Sequence, residues 1–134
     1  MVCIHCSGKT RIINSRPQKR LDQTWRRHQC LACGTVFTTT ESVDYSGSIV
    51  VRQADKSLQP LERDKLFVSL VRACGHRESA ISDAAGLAAT ILVKTRKTAV
   101  NGLLERQDII KAALEVLKRF DNAAAVAYAA YHQT

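Results

Sequence analysis

Two C-x2-C pairs bound what this chain can fold into. Cys3 and Cys6 open it, and Cys30 and Cys33 follow after an interval of 23 residues. Paired thiols on two tight turns place two sulfurs each on one side of the backbone, and two such turns complete a tetrahedron. This spacing reads as a zinc ribbon. Two unrelated pairs of small apolar cysteines would not need it, and a redox pair would need one motif beside a βαβ pattern. With four cysteine ligands no coordination position stays open, so the expected zinc is structural, one per chain. His5 and His28 stand close in sequence and are read as neighbours of the site. Gly8 and Gly34 follow the two pairs and are expected to take the positive φ that such knuckles often need. No charged start and apolar run precedes Cys3, so the expected compartment is the reducing cytoplasm, where structural disulfides are rare. No apolar stretch has the length of a membrane span.

The ribbon part is expected over residues 1–44. "TRIINS", "DQTWRRHQC" and "GTVFTTT" are rich in β-branched residues or bounded by turn residues and read as strands. Between Lys9 and Arg27 lie seven basic residues (Lys9, Arg11, Arg16, Lys19, Arg20, Arg26, Arg27) and a single acid, Asp22, a local net charge of +6. Trp25, the only tryptophan, directly precedes Arg26 and Arg27. A solvated charged face is one reading of such a run. On a zinc ribbon the other reading gains weight: cations for phosphates, and an aromatic that packs on sugar or base.

The second part is expected over residues 48–134, after a polar stretch "VDYSGS" read as a linker. Ile49 to Arg52 read as a strand, "QADKS" as a turn, and "LQPL" as a second strand or a helix entry. Four helical patterns follow. Leu66, Phe67, Leu70, Val71 and Cys74 mark the first. Ile81, Ala84, Ala85, Ala88, Ile91 and Leu92 mark the second, and Ile109 to Phe120 the third. Asp121 is placed to cap the last, "NAAAVAYAAYH", which is apolar nearly all round and so expected in a core or a subunit contact. Thirteen basic and nine acidic residues leave this part at +4 without a patch. Arg52, Arg63 and Lys65 near the first helix start form a weak candidate anion site. No nucleotide-binding glycine loop of the common kinds and no nucleophile–histidine–acid set is present, so no enzymatic activity is expected. The fold class is α+β: a β-rich ribbon, then a mostly helical domain with a small β-hairpin.

The order of these parts resembles the bacterial NrdR family, transcriptional repressors of ribonucleotide reductase genes. "CIHC", "INSRPQ", "RRHQCLACGTVFTTTE", "VVR", "PLERDKL", "VRACGHRESAIS", "IIKAALEVLKRFDNAA" and "AYAAYH" follow its motifs in order. The resemblance implies a zinc ribbon joined to an ATP-cone, with ATP or dATP altering oligomeric state and so binding to a double-stranded operator. By position it implies Cys3, Cys6, Cys30 and Cys33 as zinc ligands. Arg16, Arg26 and Arg27 fall on DNA-facing positions, beside Lys19 and Trp25 of the basic run. Val51, Arg52, Gln53 and Lys65 fall on nucleotide-contacting positions, with magnesium as a possible companion of the phosphates.

The chain departs from the family in places. A run of four arginines reads Trp25-Arg26-Arg27-His28, and the cone's Lys-Arg-Asp-Gly reads Arg52-Gln53-Ala54-Asp55. Leu61, Ala125 and Ala127 replace a phenylalanine, a tyrosine and an arginine. Asp55 brings a carboxylate toward where phosphates are expected. Two other functions therefore stand beside the repressor: a nucleic-acid-binding ribbon whose degenerate cone serves only oligomerisation, and an accessory subunit docking on ribonucleotide reductase. The basic ribbon argues against the last.

Overall fold

The computed structural model describes residues 1–132, which form two compact units, one of Met1–Val43 and one from Asp44 onward. The first is a three-stranded antiparallel sheet with β2 (Gln23–Cys30) between β1 (Thr10–Gln18) and β3 (Val36–Glu41). Register is fixed by pairs such as Arg16 with Trp25 and Trp25 with Thr40. A bulge at Ile13 lets Asn14 oppose Arg27. Little is buried: Cys3, His28, Cys30 and Phe37. His28 stacks on Phe37 with ring centres 5.3 Å apart, and its Nε2 lies 2.8 Å from Thr39 Oγ1.

The second unit holds a small sheet and four helices. β4 (Val50–Arg52) pairs antiparallel with β5 (Leu58–Pro60), as the hairpin reading expected. The reading did not contain β6 (Leu103–Glu105), which runs parallel to β4 on its other side and makes the hairpin a three-stranded sheet. Its sequence signal is the Asn101-Gly102 pair. Both residues take positive φ, 52° and 75°, in a two-residue turn closed by hydrogen bonds between Val100 and Leu103. This is the turn chemistry that Asn-Gly favours. Gly102 then accepts from the Val50 amide and so docks β6 on β4.

Helices α1 (Arg63–Ala73), α2 (Ala80–Arg96), α3 (Arg106–Phe120) and α4 (Asn122–Tyr131) cover the sheet's core. Leu70, Cys74, Ile91, Leu104 and Leu117 are wholly buried, or nearly so. Truncating a leucine of this kind to alanine costs about 2–5 kcal/mol. Ile81 was placed on the core face of α2 but is 70% exposed, because it sits in the first turn, before the stretch that packs. The supposed linker is partly core as well. Tyr45 is buried with the helices, and its carbonyl accepts from Ser48 and Ile49, so the second unit begins earlier than residue 48. On α4, Ala124, Ala125 and Tyr128 are buried, while Val126 and Tyr131 are exposed.

Asp121 does two jobs at the α3–α4 junction. Its Oδ1 accepts from the Ala123 and Ala124 amides and caps α4, as expected from the sequence. Its Oδ2 accepts from His76 Nε2 at 2.8 Å and Arg77 Nη1 at 3.0 Å, tying the α1–α2 loop to the junction. Arg77 also bonds Asp83 and lies 4.6 Å over the Phe120 ring. The hydrogen bond from His76, helped by Arg77, holds the Asp121 carboxyl down at about 2. Folded, it ionises more readily than unfolded, so its contribution is complete above pH ~4 and fades as pH falls toward about 2. Asp121→Asn should therefore lower the melting midpoint of the second unit by about 4–8 °C near neutrality. The gap from wild type should narrow as pH falls toward 2. Thermal melts of both proteins across pH measure this, and a gap that stays constant would show that the charge is not the stabilising feature.

Candidate metal centre, basic face and cavity

The four cysteines predicted as ligands converge. Cys3 and Cys6 sit in the turn between the Val2–Lys9 bridge partners, and Cys30 ends β2 with Cys33 in the turn beyond it. All four sulfurs lie within 4.8 Å of one another, with Cys3 Sγ 3.7 Å from Cys33 and Cys6 Sγ 3.5 Å from Cys30. A tetrahedron with Zn–S bonds of ~2.3 Å has edges of ~3.8 Å, so the cage fits the ion. Amides of His5, Ala32 and Cys33 point at sulfur, from His5 to Cys3 and from the other two to Cys30. Such donors orient ligands and offset their charge. The Thr35 hydroxyl, 3.1 Å from Cys33 Sγ, and the Thr35 amide pull that thiol down to about 6. The Cys33 amide lowers Cys30. For Cys6 the Gly8 amide pulls down, but the thiols of Cys30 and Cys33 outweigh it and push Cys6 up to about 11. A cation held among the four sulfurs would favour the thiolate form of each.

The two glycines act differently from each other. Gly34 takes φ +76°, as expected. In the first knuckle the positive φ falls on Ser7. Gly8 matters for space instead: a Cβ there would lie 3.2 Å from Cys6 Sγ and 3.3 Å from Cys30 Sγ.

Strand alternation sorts the basic residues of the ribbon. One face of the sheet carries Arg16 beside Trp25 and Thr40, and Asn14 beside Arg27 and Thr38. Arg11 continues it, bonded to Gln29. No acid stands on this face, and Arg16 and Arg27 are exposed there without a hydrogen bond or ion pair among the described residues. Arg26 points to the opposite face. Its guanidinium meets Glu41 Oε2 at 3.3 Å and Ser15 Oγ at 3.4 Å. Lys19 lies exposed in the turn between β1 and β2.

In the second unit a cavity of about 140 Å³ opens between β4, α1, α3 and α4. Val51, Gln53 and Lys65, three of the four residues expected to meet a nucleotide, line it. Arg52 does not. It leaves the other side of β4 and pairs with Glu105 at 2.7 Å. Asp55 also stays outside the lining, its Oδ1 taken by the Ser57 amide and hydroxyl, which hold its carboxyl below the usual range. Sequence reasoning missed Arg106, Tyr128 and His132, which complete the cavity from α3 and α4. No pattern in the sequence marks them, since the helix packing brings them there.

The chain has clear relatives. Residues 1–41 match the family described as transcriptional repressor NrdR-like, N-terminal domain. Over nearly its whole length the chain is similar to proteins named transcriptional repressor NrdR. It is 32% identical to that of Symbiobacterium thermophilum over 133 residues, covering 99% of this chain and 87% of the relative. It is 31% identical to that of Oceanobacillus iheyensis, covering 99% and 84%, and 32% to that of Acetivibrio thermocellus, covering 99% and 87%. These relatives are named as regulators and not as enzymes. Among the described residues no helix is long and apolar enough to cross a membrane. With its four-cysteine ribbon and this relationship along its length, the chain belongs to the NrdR family of transcriptional repressors.

Proposed function

We propose that this protein represses ribonucleotide reductase genes by binding a double-stranded operator through the ribbon, under control of adenine nucleotides held in the second unit. The observation that carries the DNA reading is the acid-free face of β1–β2–β3 with Arg16, Trp25 and Arg27. Exposed guanidiniums without internal partners are free to meet phosphate or base edges, and the indole offers a flat surface beside them. Lys19 extends the cationic reach at the hairpin tip. Zinc, held by Cys3, Cys6, Cys30 and Cys33, would keep β2 and its side chains in register. Arg26, balanced by Glu41, is assigned a supporting role.

The nucleotide reading rests on the cavity, where Lys65 and Gln53 meet apolar walls and the starts of α1 and α3. Neither helix has a side-chain cap, so amides remain for an anion. The exposed Val126 and Tyr131 on α4 offer apolar surface for a second copy, so that occupancy alters assembly. One observation favours the degenerate-cone alternative: Arg52, the residue standing for a family lysine, is engaged with Glu105.

Metal analysis of reduced protein should find one zinc per chain, and Cys30→Ser should lose both the metal and the ribbon fold. Arg27→Ala should weaken binding to a duplex from the ribonucleotide reductase promoter and lower the slope of log affinity against log salt by about one, while Arg26→Ala changes the slope little. Titrations over a salt series measure both, and an unaltered slope in Arg27→Ala would place the DNA surface elsewhere. Calorimetry with ATP and dATP, with and without magnesium, should show saturable heat, and light scattering a change in mass. Neither signal from folded protein would leave the degenerate-cone reading in place.

A further inference from the structure

We propose that Arg106, with Lys65, is the cationic group that holds phosphate in the cavity of the second unit, and that Arg52 takes no part in it. The inference rests on the nucleotide reading above and names the residue that makes it workable in this chain.

Position comes first. β6 runs parallel to β4 with Arg52 opposite Glu105. The next residues on each chain, Gln53 and Arg106, both line the cavity, while Arg52 and Glu105 pair with each other outside it. The parity that turns Arg52 away therefore brings Arg106 in. Charge agrees. Lys65 and Arg106 are the lining's two fixed cations and Glu62 its one acid, a net charge of +1, so without Arg106 the lining would be neutral. Among the described residues Arg106 makes no hydrogen bond or ion pair, whereas Lys65 reaches only the neutral Gln59. A free guanidinium presents two parallel donors to a phosphate, which an ammonium does not.

Tyr128 lines the same cavity from α4 and is only 2% exposed. Its phenol hydroxyl can donate to or accept from a bound molecule. Burial pushes this phenol up to about 12, and the nearby Arg106 charge works against that. Arg106 is also the first residue of α3, whose opening amides lack a side-chain cap, so backbone donors stand beside the guanidinium. The lining also holds the apolar Val51, Leu61, Leu66, Ile109 and Ile110. A polyanion joined to a flat, weakly polar body fits this lining, which is the chemistry of a nucleoside triphosphate.

Calorimetry of the full chain with ATP and with inorganic tripolyphosphate tests the assignment. Arg106→Gln should weaken both at least about tenfold, Arg106→Lys less so, and Arg52→Gln by no more than about twofold. Melting midpoints equal to wild type establish that the variants are folded, and the charge-keeping lysine serves if the glutamine variant is not. Arg106 variants that bind both probes as wild type does, or an Arg52→Gln as damaged as Arg106→Gln, would overturn the proposal. A wild-type protein that binds tripolyphosphate through Arg106 but neither ATP nor dATP would retain the anion site and remove the nucleotide reading. Wild type that binds none of the three would end both.

Discussion

The ribbon hangs on its sulfur cluster. Of its 43 residues only four are buried, and two of these, Cys3 and Cys30, are thiol ligands. A chain this short does not bury enough apolar surface to fold by itself, so a metal cross-link takes the place of a core. The remaining pair, His28 and Phe37, stack directly along β2 and β3 from Cys30. β2, which ends at Cys30, is paired along its length with β1 and β3, so the cluster and the strand register together set where the ribbon side chains stand. This is why a sheet with so little interior can still present arginines at defined places.

Both units then use the same device, the alternation of side chains along a strand. On β2 it separates Arg27 from Arg26, which are adjacent in sequence and chemically identical, and gives one to an open basic face and the other to Glu41. On β4 it separates Arg52 from Gln53, one paired with Glu105 and the other lining a cavity. A shift of one residue in either register would exchange these roles. The bulge at Ile13 is part of the arrangement, since it brings Asn14 and Arg16 onto the face of Arg27 and Trp25.

Local patterns made much of this legible. The cysteine spacing led to the metal cage, β-branched runs to the ribbon strands, helical periodicity to four helices, and Asp121 to the α4 cap. What the sequence did not disclose depends on partners distant along the chain. β6 is three residues long and pairs with a strand about fifty residues earlier, and only the Asn101-Gly102 turn hints at it. The Arg52–Glu105 pair spans 53 residues. Arg106 and Tyr128 meet only after α3 and α4 have packed. Resemblance by position pointed to Arg52, which the structure leaves outside the cavity lining, and not to Arg106, which lines it, because the resemblance follows the motif and not the register.

The parallel seam between β4 and β6 also bears on how the second unit comes together in time. The β4–β5 hairpin and the individual helices join near neighbours and close quickly. The seam must wait for α1 and α2 to fold back, because long loops are entropically expensive to close and distant contacts form late. One wall of the cavity comes from β4 and another from the residue that follows β6. The cavity thus exists only in the completed fold, and partly folded chains lack it. A ligand that fills it draws the population toward that state by mass action and suppresses opening of the seam more than fraying of the hairpin. The concentration of such a ligand in the cell would then govern how long each molecule survives proteolysis as well as what it does while folded.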